Sequence, residues 1–171
     1  LTRAVSFSAG KIKTVNVTLE PSDPQPQGTY YFKRVSAYSP GRKYILVAAE
    51  TDDAGDEHLR MALAMPEGIK SSRLYSEDVE DEGGIITLSS QENAFAFYES
   101  ENGTLIRQAD GRYLYNNNSN DNVYTGTDLI AGCYWTISYD NQGQAAIVNR
   151  QRQLKYNDTE TVRAFQTRKT D

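Results

Sequence analysis

The sequence predicts an all-β chain: a β-trefoil-like barrel of repeated four-strand units, preceded by a separate β-hairpin segment, with a β-sandwich as the alternative. Three observations predict it. The first is a repeat. Ile106–Asn116 (IRQADGRYLYN) is echoed without gaps by Ile147–Asn157 (IVNRQRQLKYN). With one residue slipped, Phe95, Phe97 and Gly103 answer Trp135, Ile137 and Gly143, and downstream Val123-Tyr124 answers Ala164-Phe165. A period of roughly 40 residues marks one supersecondary unit used more than once. The second is composition: 12 tyrosines, with threonine and valine between Gly, Asn and Asp turns, fit pleated strands. The third is punctuation. Glu101-Asn-Gly103, Asp110-Gly111 and Asn141-Gln-Gly143 separate short apolar runs as hairpin turns do. Three units of four strands close a small barrel and leave no long exposed edge.

Along the chain, Val5, Phe7, Ile12, Val15, Val17 and Leu19 alternate around a Ser8-Ala-Gly-Lys11 turn, which predicts a hairpin. Glu20-Pro-Ser-Asp-Pro-Gln-Pro-Gln-Gly28 carries three prolines and predicts a stiff spacer. The chain therefore divides into 1–19, a 20–28 linker and a main body at 29–171. Tyr30–Val35 reads as a strand. Tyr44-Ile-Leu-Val-Ala-Ala49 is continuously apolar, which predicts a strand buried on both faces. Leu59–Met65 is helix or strand, ended by Pro66, and a short extended piece follows at Ile69–Leu74. Ile85–Leu88 follows Gly83-Gly84 as a strand. The two clear units hold strands at 95–98, 104–108, 113–115 and 123–124, then at 135–139, 145–149, 154–156 and 162–166. Residues 30–88 hold a third, decorated unit. The expected core comprises Phe95, Phe97, Ile106, Leu114, Trp135, Ile137, Ile147, Leu154 and Phe165.

Charge narrows the function classes. The formal net charge of −5 disfavours a nucleic-acid grip, which needs a basic face, and an anionic membrane surface. No apolar run approaches ~20 residues, so no membrane span is expected. The single cysteine, Cys133, cannot form an internal disulfide and reads as a buried thiol; the single histidine, His58, is far from it in sequence. There is no Gly-x-Ser-x-Gly, Cys-x-x-Cys or phosphate-binding glycine loop. No acid lies in an apolar stretch that would raise its pKa for acid–base work. No catalytic residue, metal ligand or cofactor is therefore assigned. The acidic runs 50–57 and 77–82 are expected to be solvent-exposed loops. Asp52, Asp53 and Asp56 lack EF-hand spacing.

Asn116-Asn-Asn-Ser-Asn-Asp-Asn122 is the polar loop with binding chemistry. Amides and carboxylates beside tyrosines suit sugar hydroxyls, and the same residues are turn formers. Tyr115, Asn116, Asn117, Asp121 and Tyr124 are the candidate ligand-binding residues of this unit. Tyr156, Asn157 and Asp158 are those of the next.

Phe7-Ser-Ala-Gly-Lys-Ile-Lys-Thr-Val-Asn-Val-Thr-Leu19 resembles the closing strands of fimbrillin-type (Mfa-like, FimA-like) domains of Bacteroidetes surface proteins. Gly41-Arg-Lys-Tyr-Ile-Leu-Val47, Asp110-Gly-Arg-Tyr-Leu-Tyr115 and Leu154-Lys-Tyr-Asn157 are similar to accessory β-domains of the same bacteria. The resemblance implies an extracellular, cell-surface protein, outer-membrane-anchored or fimbrial. Its expected role is non-catalytic adhesion or a pilus-associated contact, the alternatives being a carbohydrate-binding module and a hydrolase fragment. Expected partners are other fimbrial or cell-surface subunits, or an N-terminal portion of the same protein, and glycans. On this reading Ile12, Val15, Val17 and Leu19 form the last strand of a preceding fimbrillin-like domain. That strand is expected to pair with sheet outside 29–171.

Overall fold

The computed structural model describes residues 12–17, 28–68, 72–159 and 162–170, with 12–17, 158, 159 and 162 described by backbone alone. Residues 1–11, Leu19, the spacer residues 20–27 and the start of the piece expected at Ile69–Leu74 lie outside the described residues. The fold is all-β. The strands are β1 (Ile12–Val17), β2 (Tyr30–Arg34), β3 (Lys43–Thr51), β4 (Glu57–Ala62), β5 (Leu74–Val79), β6 (Ile85–Leu88), β7 (Phe95–Ser100) and β8 (Gly103–Arg107). They continue as β9 (Tyr113–Tyr115), β10 (Tyr124–Gly126), β11 (Tyr134–Tyr139), β12 (Ala145–Asn149), β13 (Arg152–Thr159) and β14 (Val162–Lys169). A 3₁₀ turn, Ala131–Cys133, precedes β11. No helix among the described residues is long and apolar enough to cross a membrane. Leu59–Met65, open between helix and strand from its sequence, is strand as far as Ala62.

The pairings form a closed circuit, all antiparallel. From β3 they run to β4, β5, β14, β13, β12, β11, β8 and β7, and β7 returns to β3. Closure removes the unpaired edges an open sheet would present. The β9–β10 hairpin branches from β8 through Arg107↔Tyr113, while β1, β2 and β6 branch from β3. The repeat reappears in the junctions between units, with the register slipped by one residue. Tyr44 of β3 pairs with Phe95 of β7, and Leu105 of β8 pairs with Tyr134 of β11.

The apolar run in β3 is explained by its two neighbours. Tyr44, Leu46 and Ala48 point into the main core with Phe95, Phe97, Ile106, Leu114, Trp135, Ile147, Leu154 and Phe165. Ile45, Val47 and Ala49 point the other way, into a second core with Phe32, Leu59, Met61 and Ile86. β2 and β6 supply Phe32 and Ile86, which pair across the strands and cover that outer face. Burying each such side chain contributes about 1.5–3 kcal/mol. Of the expected core residues all are fully buried except Ile137, which packs partly buried at the margin.

Two expectations are corrected. The backbone of β1 lies between β2 and β3, with Val17↔Phe32 on one side and Ile12↔Ala48 on the other. The strand expected to pair outside 29–171 therefore pairs within this chain, along Ile12–Asn16 with β3 and along Val15–Val17 with β2. The proline spacer in sequence did not require separation in space. Glu50, expected in a solvent-exposed acidic loop, is only 5% exposed. It shares the inward face of β3 with Leu46 and Ala48, because strand side chains alternate. Residues 51–57 and most of 77–82 are exposed as expected.

Candidate functional site

The Asn116–Asn122 loop is built from within. Asn116 is fully buried. Its amide nitrogen donates to the Asn122 carbonyl (2.8 Å) and Thr167 Oγ1 (2.8 Å), and its Oδ1 accepts from the Asn118 N–H (2.6 Å). The residue anchors the loop to β14. Asn120 and Asn122 donate their amides to the Tyr124 hydroxyl (3.2 and 2.7 Å), holding Tyr124 stacked on Tyr115 with ring centroids 5.3 Å apart. Burial, and the neighbouring Tyr124, push the Tyr115 hydroxyl pKa up. Asp121 lies between two guanidiniums, Arg152 and Arg168, each at 2.6 Å. At the exposed tip, Asn117 Oδ1 accepts from the Ser119 N–H and hydroxyl (3.1 and 2.9 Å).

The matching residues of the next unit lie elsewhere. Tyr156 is buried, and its hydroxyl donates to Glu50 Oε2 (3.0 Å). Arg60 Nε bonds the same oxygen at 2.6 Å, Arg60 also pairs with Asp78, and Arg163 Nε approaches Glu50 Oε1 at 3.6 Å. The Tyr156 pKa is pushed up to about 12, first by burial and further by the hydrogen bond to Glu50, against a lowering hydrogen bond with Ser76. This network ties β3 and β4 to β13 and β14, beside the pairing of Phe165 with Leu74. Asn157 reaches Gln166 Oε1 at 3.4 Å, and for Asp158 the backbone alone is described. The Tyr-Asn recurrence thus has different surroundings in its two copies: one carries a surface loop, the other a buried ionic seam.

A concave site appears where the sequence reading assigned nothing. A cleft of about 450 Å³ is lined by Leu63, Ala64, Met65, Pro66 and Ala109, with Asn93 and the carboxylates of Glu77, Glu92 and Asp110. Its floor follows β4, where the chain leaves the sheet. Buried Gln108 holds that segment, accepting the Met65 N–H (2.7 Å) and donating to the Met65 carbonyl (3.2 Å). Arg112 donates to the same carbonyl, to Asp110 and to Thr125 Oγ1 (2.9 Å). Asn93 Oδ1 accepts the Ala64 N–H at 2.8 Å. Burial would raise the Asp110 carboxyl, but the hydrogen bonds from the Arg112 side chain and backbone outweigh it and hold the pKa below the usual value. Glu77 and Glu92 are exposed and have no ion-pair partner among the described residues.

Gln108 and Asn149 are the residues that sequence reasoning missed. They stand two positions after Ile106 and Ile147, at equivalent places in the repeat. Asn149 is 1% exposed and donates to the carbonyls of Gly132 (3.1 Å) and Tyr134 (2.5 Å). An amide side chain at the same place in both copies was a readable signal of a shared stapling role. Cys133 is buried, with its thiol pKa raised by burial, as expected of an inert thiol. Asp52 uses Oδ1 on the N–H groups of Ala54 and Asp56 (both 2.9 Å) and Oδ2 on His58 (3.1 Å). His58 leads the groups that lower the Asp52 pKa. No group of metal-ligating side chains is assembled among the described residues.

No protein-family profile matches the chain, and no curated protein matches it.

Proposed function

We propose that the protein is a non-catalytic contact module of a bacterial cell-surface protein, adhesive or pilus-associated, on a β-trefoil-like frame. The equivalent junctions β3–β7 and β8–β11 support the trefoil reading. So does the link from Arg34 of β2 to the carbonyls of Gln142 and Gly143 in the β11–β12 turn, which joins the decorated unit at 30–88 to the clear unit at 135–166. A frame of this kind holds loops and clefts in fixed relation.

The observation that carries the functional reading is the character of the cleft. Its base is apolar and fixed, its free carboxylates are solvated, and the one perturbed acid, Asp110, is held ionised by Arg112. Such a site is suited to contact; a general acid needs a carboxyl pushed the other way. The setting outside the cell, and partners among other surface subunits, rest on the resemblance of residues 7–19 to fimbrillin closing strands.

A second reading, contact through glycans, is favoured by the stacked Tyr115–Tyr124 pair beside the exposed Asn117. Native gels cast with plant and mucin polysaccharides separate the two. Unretarded migration through intact polysaccharide is expected of a protein-contact module. Retardation lost in Asn117→Ala or Tyr115→Ala moves the contact to glycans. Clearing of polysaccharide around the band refutes the non-catalytic reading.

A further inference from the structure

We propose that the cleft docks a lysine- or arginine-bearing segment of a protein partner, its aliphatic stem on Leu63, Ala64 and Met65 and its cationic head between Glu77 and Glu92. The inference rests on the contact-module reading and names the partner's chemistry. Its first support is charge. Glu77 comes from β5 and Glu92 from the turn before β7, so the fold, and not a run in the sequence, brings both carboxylates to one cleft. Asp110 is matched by Arg112, whereas Glu77 and Glu92 meet no cation among the described residues. An anionic occupant would be repelled. A wholly apolar one would strip water from two unpaired carboxylates, which is costly. A long cationic side chain satisfies both halves, because its methylene stem covers apolar surface while its head stays at the rim.

The second support is rigidity. The segment after β4 makes no ladder, yet its backbone is fixed by a buried glutamine, an arginine and an asparagine reaching from other parts of the chain. A receptor surface ordered before binding loses less entropy on association. The third support is size. The volume of about 450 Å³ lies within the range of about 300–1,000 Å³ usual for binding pockets.

The test uses fluorescein-labelled oligolysine and oligoarginine hexapeptides, with oligoglutamate and oligoserine hexapeptides as controls. Anisotropy is read on the whole chain near physiological salt, where long-range attraction to a net acidic protein is screened. Saturable binding of the cationic peptides alone is expected. The Glu77→Gln/Glu92→Gln double variant should weaken it by about tenfold, with urea unfolding unchanged, because both side chains are exposed. A second variant, Asp53→Asn/Asp56→Asn/Glu57→Gln, removes more charge from the exposed β3–β4 turn and the first residue of β4, and should weaken binding less than about twofold. Equal weakening by the two variants, an unaffected cleft variant, or no saturation at millimolar peptide overturns the proposal. The readout involves no cell surface, so its failure leaves the adhesion reading standing, and failed adhesion leaves a positive peptide result intact.

Discussion

Asn116→Ala separates a structural asparagine from a ligand-binding one. The wild-type side chain makes three short hydrogen bonds in a fully buried position: to the Asn122 carbonyl, to Thr167 Oγ1 and from the Asn118 N–H. Each contributes about 1 kcal/mol net, and alanine leaves buried partners unsatisfied, so the expected loss is about 3 kcal/mol. For a domain of this size that corresponds to a fall in Tm of about 6–12 °C. Asn117→Ala, one residue along and exposed, should stay within about 0.5 kcal/mol of wild type. Urea unfolding followed by tryptophan fluorescence reads both, since Trp135 is buried and bonded to the Leu114 carbonyl within the same core. A loss below about 1 kcal/mol for Asn116→Ala, or a larger loss for Asn117→Ala, refutes the assignment of Asn116 as the anchor of its loop.

Other outcomes follow from the same contacts. Gly132→Ala should destabilise the fold by more than about 2 kcal/mol in denaturant titrations, because a Cβ there would stand 2.1 Å from the Asn116 carbonyl oxygen. Glu50→Gln should cost about 3 kcal/mol by the same measurement, since it leaves buried Arg60 without its buried carboxylate partner and with only the exposed Asp78. The Tyr156 pKa is raised on folding, so its contribution to stability is complete below about pH 10 and is lost as pH rises toward about 12. Tyr156→Phe should therefore flatten the alkaline fall in stability across that window, and an identical fall in wild type and variant would contradict this. Millimolar calcium should leave Tm unchanged, because both Asp52 oxygens already hold protein groups; a clear rise would overturn the reading of that turn.

The main sheet was legible because its signals are local and periodic. β8 and β12 alternate buried and half-buried residues, and the Gly-containing turns stand between them. The double burial of β3 was legible too, since a strand covered on one face would alternate polar with apolar residues, and Tyr-Ile-Leu-Val-Ala-Ala does not. The place of β1 was not. A proline-rich spacer says that no regular strand continues, and nothing about where the chain returns. Binding residues were harder still. Asn116 and Asn117 look alike in sequence, yet one is wholly buried and the other exposed, and what separates them is a bond to Thr167, far along the chain. The cleft was invisible because Met65, Glu77, Glu92 and Asp110 meet only through the sheet's closure. Gln108, by contrast, could have been singled out by its match to Asn149.

The central claim is that the protein works by reversible contact. Its most direct measurement is the retention of chain-coated beads on bacterial and host cell surfaces under flow, with excess soluble chain as competitor and mass spectrometry of whatever leaves the surface. Retention that saturates, is abolished by the soluble chain, and releases no cleaved glycan or peptide is the predicted result. Cleavage products in the effluent, or retention no greater than that of beads coated with heat-unfolded chain, would contradict it.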